Sequence, residues 1–361
     1  MSRFLADRFA SLEAYTPGEQ PTDMKYIKLN TNESPFPPSE GVIRAISETA
    51  VKELRLYSDP ECGKLCESIA SLLGFEKKNV FVSNGSDDIL NFSFMAFCDG
   101  SRTGVAFPSI SYGFYPVYAD LHGVDAKQVP LAADFSVRPE DYFGNDRTVV
   151  IANPNAPTGI AMSCAQVESI VKANPDHVVL IDEAYVAFGA ESCLELVHKY
   201  DNLLVVRTFS KSHSLAGARL GYAIGSEALI EDLNKIKYST NPYNINRLTL
   251  LAGEAAIREN DYYVKNCRVI EENRAYTTNA LRELGFEVLP SCANFIFAKS
   301  DRIGGEALYL ALKARGILIR HFSKKEICEY NRITIGTIEE MQSLVAAVKE
   351  ILADAEKGAC A

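Results

Sequence analysis

Residues 208–221 combine a lysine, a serine and an arginine in a pattern that suits covalent chemistry on a phosphorylated ligand. Lys211 lies just beyond an apolar run, residues 203–206. A lysine amine forms a Schiff base with a carbonyl compound when burial or nearby cations lower its pKa. Ser210 and Arg219 add a hydroxyl and a planar cation, which together suit a phosphate group. A lone loop lysine is usually solvated. The other segments therefore decide whether Lys211 is a Schiff-base lysine or an ordinary solvated one.

A second segment places a carboxylate directly after four apolar residues, 178–181. Burying Asp182 there without a partner would cost free energy. The N–H of a protonated pyridine ring would be a suitable partner, because Asp182 would keep that nitrogen protonated and make the ring an electron sink. Tyr185 could hydrogen-bond a phenolic oxygen on the same ring. The alternative is an ordinary helix N-cap at Asp182, with Glu183 in solvent.

Three further loops also follow predicted strands. Gly85 permits close backbone approach, and the N–H groups of Ser86 and Asp87 lie at a predicted helix N-terminus, which favours anions. Tyr112 offers an aromatic face to a flat ring. The loop of residues 153–159 is rich in proline and could be only a turn. Each loop alone is a weak signal, but the five loops together supply the amine, ring-nitrogen acid, phosphate cradle and stacking face that a phosphorylated pyridine aldehyde needs.

Alternating strands and helices must position these loops. Short apolar runs predict strands at residues 79–83, 104–107, 124–130, 148–152, 177–182, 203–207 and 219–225. Several of these runs are apolar without alternation, as expected for strands that are covered on both faces. Helical stretches such as residues 87–98 and 164–173 lie between them. The pattern predicts an α/β fold with a large, doubly wound, mostly parallel seven-stranded sheet, whose ligand crevice lies at the carboxyl ends of the strands.

The pattern changes after about residue 265. A helical stretch ends at Gly285, a plausible helix C-cap. Beyond it, strands are predicted at residues 294–298, 316–320 and 332–336, with helices at 306–315 and 338–352. These elements predict a small α+β domain. We therefore expect a large domain of residues 45–265, and a second unit in which an N-terminal arm, residues 1–44, joins the small domain, residues 266–361.

The composition is that of a globular protein, with 47% hydrophobic and 23% charged residues and a net charge of -10. That charge argues against a nucleic-acid partner, since binding the phosphate backbone requires a basic surface. The first 15 residues lack the pattern of a signal peptide, and no apolar run approaches the ~20 residues that span a bilayer. Nine cysteines without paired spacing predict reduced thiols and no metal site. These features predict a cytoplasmic protein with no membrane partner.

The segments described above resemble the fold-type I aminotransferases of class I and II, which depend on pyridoxal 5′-phosphate (PLP). Within them the chain is most similar to the histidinol-phosphate aminotransferase family. The resemblance covers essentially the whole chain. It rests on residues 29–35 (LNTNESP), Tyr57, residues 153–159 (NPNAPTG), residues 182–185 (DEAY), residues 210–212 (SKS), Arg219 and residues 332–337 (RITIGT).

This resemblance implies how the cofactor would be bound. Lys211 would hold PLP as a Schiff base and carry a proton during the reaction. Asp182 would pair with the pyridine nitrogen and Tyr185 with the ring oxygen, while Tyr112 would stack on the ring. The residues that would surround the phosphate are Gly85, Ser86, Asp87, Ser210 and Arg219. Tyr57 would reach the same phosphate from the partner subunit of a homodimer.

The resemblance also implies a substrate pocket. Arg332 matches the arginine that binds the substrate anion in this family, and Arg320 is a second candidate. Tyr15 and Asn32 are further candidates for the same pocket. The reaction implied is transfer of an amino group from histidinol phosphate to 2-oxoglutarate, which yields imidazole acetol phosphate and glutamate in histidine biosynthesis. The alternatives are a threonine-phosphate decarboxylase-like or an aromatic amino-acid aminotransferase activity on the same scaffold, or a PLP-binding regulator.

One position departs from the family pattern. The family has an asparagine directly before Pro-Thr-Gly, where it helps Tyr185 to hold the ring oxygen, but this chain has Ala156. Asn155 lies one position earlier. Either Asn155 takes over this hydrogen bond through a shifted loop, or the bond is missing. His213, two residues after the lysine, is expected to pack rather than to catalyse.

Overall fold

The computed structural model describes residues 4–100 and 102–359. Its strands are β1 (Ile27–Lys28), β2 (Val80–Ser83), β3 (Gly104–Pro108), β4 (Ala126–Val129), β5 (Arg147–Ala152), β6 (Val179–Asp182), β7 (Leu203–Thr208), β8 (Gly221–Ile224), β9 (Phe286–Val288), β10 (Phe295–Ser300), β11 (Ile317–Leu318), β12 (Arg320–His321) and β13 (Asn331–Thr334). Its α-helices are α1 (Glu40–Ala45), α2 (Glu48–Lys52), α3 (Gly63–Leu73), α4 (Ser86–Phe97), α5 (Phe114–His122), α6 (Cys164–Ala173), α7 (Glu227–Thr240), α8 (Arg247–Arg258), α9 (Asn260–Glu283), α10 (Gly305–Ala314) and α11 (Ile338–Ala359).

The predicted large sheet is confirmed. Seven strands lie in the order β2-β8-β7-β6-β5-β3-β4. Strand β8 runs antiparallel to both of its neighbours, and the remaining pairs are parallel. Strands β2, β3, β5, β6 and β7 therefore all point the same way, and their carboxyl ends meet at one edge of the sheet. The five loops singled out in the sequence follow these five strands.

Alternate residues of the sheet face two separate cores, as a doubly wound sheet requires. One core contains Val149, Ile151 and Val179, and is covered by α3, α6 and α8. The other contains Val150 and Leu180, and is covered by α4, α5 and α7. Because the central strands are buried on both faces, their sequences are continuously apolar. The central strands of the sheet thus form a buried apolar platform, and Asp182 is a polar residue at the carboxyl end of one of them.

A smaller sheet of four antiparallel strands, β12-β13-β10-β9, packs with α9, α10 and α11 around a third core. Strand β1 of the N-terminal arm pairs in parallel with β11, where Ile27 lies opposite Ile317. These two strands form a two-stranded sheet of their own, which attaches the arm to the segment between α10 and β12. The domain limits given above remain predictions, and residues 1–3, 101, 360 and 361 lie outside the described part of the chain.

The prediction of a single strand at residues 316–320 is wrong. Two short strands occupy this segment, because β11 pairs with β1 of the arm while β12 pairs with β13. Arg320 therefore takes no part in the pairing of β11 with β1. It lies opposite Arg332 in the pairing of β12 with β13. Strand β9 was not predicted, since three residues directly after a helix carry little periodic signal. No α-helix in the described ranges is both long and apolar enough to cross a bilayer.

Candidate active site

Lys211 lies at the carboxyl edge of the large sheet, three residues beyond the end of β7. Its Nζ donates a hydrogen bond to the carbonyl oxygen of Thr31 in the N-terminal arm, at 3.1 Å. The same nitrogen lies 5.9 Å from the centre of the Tyr185 ring. Burial, reinforced by the positive charge of Arg332, lowers the pKa of Lys211 to about 8. A fraction of this amine is therefore neutral and nucleophilic near pH 7.

Asp182 ends β6 and is only 4% exposed. Its Oδ2 accepts a hydrogen bond from the Tyr115 hydroxyl at 3.0 Å, and its Oδ1 accepts one from the Ala184 backbone N–H at 3.1 Å. Burial raises the pKa of Asp182 to about 6, although both donors act in the opposite direction. Glu183, placed in solvent by the alternative interpretation, is instead 2% exposed and forms a 2.8 Å ion pair with Arg207. The helix-cap interpretation is therefore wrong about Glu183.

Tyr185 receives its hydrogen bond from a residue other than the one expected. Its hydroxyl accepts from the Asn32 side-chain amide at 2.9 Å. The Thr334 hydroxyl donates to the Asn32 side-chain oxygen, and so orients this amide. Asn155 directs its own side-chain amide to the Ile110 carbonyl at 3.0 Å and accepts from Ser111. The structure thus brings Asn32 to Tyr185, and it directs the side chain of Asn155 to the loop that carries Tyr112.

The predicted phosphate residues come together at the start of α4. Gly85 is the N-cap of this helix and has a φ of +89°, which favours glycine. Arg219 donates to an oxygen of Asp87 at 3.0 Å and lies 3.5 Å from the Ser210 hydroxyl. A side chain at Gly221 would collide with the backbone nitrogen of Ser86, so this glycine permits β8 to approach the turn. Backbone N–H groups at a helix start beside an arginine form an anion site.

These groups line a cavity of about 360 Å³. Its lining includes Ser86, Asp87, Tyr112, Asp182, Tyr185, Ser210, Lys211 and Arg219. The Tyr112 hydroxyl donates to Asp87 at 2.7 Å, and this bond fixes the ring at the wall of the cavity. The residues fit PLP, because a buried carboxylate without a cationic partner in the described chain shares one cavity with a reactive amine and an anion site.

A neighbouring cavity of about 440 Å³ shares Tyr112 with the first and contains the predicted substrate residues Tyr15, Arg320 and Arg332. One Arg332 nitrogen donates to the Asn30 carbonyl at 3.0 Å. The Arg332 Nε is buried, and no residue of the described ranges hydrogen-bonds it. Arg320 donates to the carbonyls of Thr16 and Pro17 in the arm. Two guanidinium groups thus reach the second cavity without a carboxylate salt bridge to any described residue.

Tyr57 and His213 line neither of these two cavities. Tyr57 is 80% exposed, and its ring stacks on Tyr243 at 4.6 Å. Its expected contact with a partner subunit stays a prediction. His213 packs between Phe209 and Tyr263, with ring centres 4.8 Å and 4.9 Å away. This location agrees with the packing role expected for His213.

The sequence analysis missed one residue of the site, Tyr115, and one contact, that of Asn32 with Tyr185. Tyr115 donates to Asp182 from the first turn of α5. The one signal for it is its position three residues after Tyr112, whose ring it meets edge-on at 5.7 Å. The role of Asn32 beside Tyr185 was missed because the two residues are 153 positions apart. Neither pairing follows from local spacing.

The lowered pKa of Lys211 predicts how the cofactor-free protein reacts with an aldehyde. Only the neutral amine attacks a carbonyl, so the rate of covalent binding should rise with pH and level off above about pH 8. An ordinary lysine would continue to gain reactivity up to its usual pKa of about 10.4. Stopped-flow absorbance with PLP across this pH range measures the rate. A rate that kept rising to the ordinary lysine value would contradict the effect of burial.

Comparison with known proteins agrees with this geometry. The model of the family "Aminotransferase class I and II" matches residues 24–348. A histidinol-phosphate aminotransferase of Brachyspira hyodysenteriae is 50% identical over 98% of this chain and 99% of its own length. One of Clostridium beijerinckii is 44% identical, covering 99% of both chains. The crystal structure of the Sinorhizobium meliloti histidinol-phosphate aminotransferase in complex with pyridoxal-5′-phosphate is 26% identical, with a TM-score of 0.84 over 91% of this chain and 92% of that one. The chain therefore belongs to the class I and II aminotransferases, which are PLP-dependent enzymes of fold type I, and within them to the histidinol-phosphate aminotransferase family.

Proposed function

We propose that the enzyme transfers the amino group of histidinol phosphate to 2-oxoglutarate, which yields imidazole acetol phosphate and glutamate in histidine biosynthesis. The observation that carries the substrate assignment is the 50% identity to a relative of that name over 98% of the chain. The geometry agrees with it. The cavity that contains two arginines adjoins the cavity of Lys211 and Asp182. An amine whose anionic group binds the arginines can therefore extend its reacting carbon toward Lys211.

The residues of the first cavity would hold the cofactor and move the protons. PLP, when bound, supplies an electron sink that stabilises negative charge on the substrate Cα. Lys211 would hold PLP covalently between turnovers. Its Nζ would remove the proton from the substrate Cα and pass it on within the same half-reaction, which requires a base with a pKa near the working pH. Asp182 would accept a hydrogen bond from the protonated ring nitrogen.

The other residues of this cavity would fix the ring in place. Tyr185, oriented by Asn32, would donate its hydroxyl proton to the ring oxygen. Tyr112 would stack on the ring. The phosphate would be held by the groups that meet at the start of α4, which are Gly85, Ser86, Asp87, Ser210 and Arg219. The side chain of Asn155 contributes through the loop of Tyr112, whose backbone it holds at Ile110.

Arg332 and Arg320 would bind the anionic group of either substrate. Histidinol phosphate offers a phosphate where 2-oxoglutarate offers a carboxylate, and a planar guanidinium forms paired hydrogen bonds to both groups. The buried Arg332 Nε has an unused proton for this purpose. Tyr15 stacks on Phe114 at 4.1 Å and closes the arm side of the same cavity.

Replacing Arg332 with alanine should raise KM for both histidinol phosphate and 2-oxoglutarate by about 10-fold to 100-fold, because a hydrogen bond to a charged group contributes about 1.5–3 kcal/mol. Arg332→Lys should recover part of the loss, since lysine keeps the charge without the planar geometry. Steady-state kinetics with each substrate varied in turn measure both effects. Arg138→Ala is a matched control, because Arg138 forms a surface pair with Asp141. Unchanged KM values in Arg332→Ala would remove Arg332 from the substrate site.

A substrate panel tests the reaction itself. Purified enzyme loaded with PLP should form glutamate from histidinol phosphate and 2-oxoglutarate. A higher kcat/KM with aromatic amino acids than with histidinol phosphate would overturn the substrate assignment. Release of CO₂ from threonine phosphate, without any need for a 2-oxo acid, would instead indicate a decarboxylase. The two competing reactions of the same scaffold are thus separated by their products.

We also propose that the enzyme is a cytoplasmic homodimer in which Tyr57 reaches the cofactor phosphate of the partner. Apolar side chains near Tyr57, among them Val51, Leu54 and Leu56, are 45–49% exposed, and such a patch favours a protein contact. The described cysteines are free thiols, in keeping with a reducing compartment. Mixed dimers test the arrangement. A Tyr57→Ala subunit paired with a Lys211→Ala subunit rebuilds one complete site, so a mixture of two weak variants should regain activity, and no gain would refute the proposal.

A further inference from the structure

Among the described residues, only neutral groups donate hydrogen bonds to the Asp182 carboxylate. The Tyr115 hydroxyl reaches Oδ2 at 3.0 Å and the Ala184 N–H reaches Oδ1 at 3.1 Å. Two charged groups that act on it, Asp87 and Glu183, are themselves negative and raise its pKa further. Glu183 is already paired with Arg207. A buried carboxylate among negative neighbours is costly unless hydrogen bonds stabilise its charge.

Tyr115 is fixed in this position by its packing. It is fully buried at the start of α5. Its ring lies 5.8 Å from the ring of Phe107 and edge-on to Tyr112 at 5.7 Å. Burial raises the pKa of the Tyr115 phenol well above its usual range, so the hydroxyl stays protonated and can only donate to the carboxylate. The Tyr115 hydroxyl is therefore a hydrogen-bond donor to Asp182 at neutral pH.

We propose that Tyr115 is a positioning residue, which fixes one oxygen of Asp182 and keeps the carboxylate ionised so that it can hold the proton on the cofactor's ring nitrogen. This inference rests on the proposed role of Asp182. A tyrosine suits this task better than a cation would. An arginine or lysine beside Asp182 would neutralise the charge that the ring N–H needs, whereas a phenol donates a hydrogen bond and leaves the net charge in place.

Removing the hydroxyl should shift the shared proton from the ring toward Asp182. Without one of its two donors, the buried carboxylate binds a proton more tightly by about 10-fold to 100-fold. In Tyr115→Phe loaded with PLP that carries ¹⁵N in the ring, the ¹⁵N chemical shift should therefore move toward that of the unprotonated ring. We expect kcat to fall by about 10-fold to 100-fold with little change in KM, because the substrate cavity is untouched.

Three controls make the test specific. Tyr142→Phe removes another buried hydroxyl, one that no described residue hydrogen-bonds, and it should leave the ¹⁵N shift unchanged. In an Asp182→Asn background, Tyr115→Phe should add no further shift, since its effect passes through the carboxylate. If Tyr115→Phe fails to fold, 3-fluorotyrosine at the same position strengthens the donor. It should then move the shift in the opposite direction.

The outcomes separate this inference from the proposed substrate. An unchanged ¹⁵N shift in Tyr115→Phe, an equal change in Tyr142→Phe, or a full further change in the Asp182→Asn background would each overturn the role of Tyr115. None of these readings requires a substrate. An enzyme that fails to transaminate histidinol phosphate but shows the predicted ¹⁵N shift would instead refute the substrate assignment and leave the role of Tyr115 in place.

Discussion

Replacing Lys211 with methionine should lower kcat/KM by at least about 10⁴-fold, because one side chain supplies both the covalent attachment and the proton transfer. Methionine keeps most of the length of the side chain and removes the amine. The assay is steady-state glutamate formation, with a single-turnover measurement to detect residual chemistry. Lys172→Met is the matched control, since Lys172 lies on the surface of α6 and pairs with Glu168. This control should retain full activity.

The Lys211→Met protein should not be less stable than the wild type when both are free of cofactor. The wild-type amine is buried near Arg332, which is why its pKa is lowered. Below the pKa of about 8, the folded protein must bury a charged lysine, so removing that charge favours folding. Thermal unfolding of both proteins at neutral pH measures this. In the activity assay, a Lys211→Met enzyme that retained a tenth of the wild-type kcat would show that another group performs the proton transfer.

Replacing Asp182 with asparagine should lower kcat by about 10²-fold to 10³-fold, the size of effect seen when a preorganised electrostatic group is removed from an active site. Asparagine has nearly the same shape but no negative charge, so the ring nitrogen loses the partner that keeps it protonated. The measurement is kcat for histidinol phosphate and 2-oxoglutarate together with the affinity for PLP. Asp141→Asn, on the surface beside Arg138, serves as the control. An Asp182→Asn variant within tenfold of the wild type would contradict the electron-sink role.

Although Asp182→Asn should lower kcat, it should increase the stability of the cofactor-free chain. The folded-state pKa of Asp182 is about 6, above its usual value, so the folded state binds a proton more readily than the unfolded state. The wild type therefore loses stability as the pH rises from about 4 through about 6, and Asp182→Asn does not. Asp182→Asn should unfold at a higher temperature than the wild type above that range and at nearly the same temperature below it. Loss of activity with a gain in stability is expected of a charge kept for function.

The residues that could be predicted from the sequence share one property. Lys211, Asp182 and Gly85 each lie at the end of an apolar strand or within three residues of it, and strands of a parallel sheet end at one edge. Their meeting is therefore a consequence of topology, and topology follows from the alternation of apolar runs and helices. The large sheet and the start of α4 could be predicted for the same reason.

The contacts that could not be predicted depend on packing between distant segments. Asn32 reaches Tyr185 only because β1 of the arm pairs with β11 and Thr334 orients the amide. The location of Asn155 depends on the path of the loop of residues 108–113, which its side chain holds at Ile110. The division of residues 316–320 into two strands likewise depends on two different partners. Side-chain direction in these cases is decided by the assembled structure.

Reduction of the PLP-loaded enzyme with borohydride, followed by peptide mass spectrometry, tests most directly whether Lys211 carries the cofactor. Reduction makes the link between the amine and PLP permanent, so the modified peptide identifies the lysine. We predict a single phosphopyridoxyl adduct on the peptide that contains Lys211, and none on Lys237, a second lysine with a buried side chain, whose Nζ donates to the Pro60 carbonyl. An adduct on Lys237, or no adduct at all after loading with PLP, would contradict the assignment of Lys211.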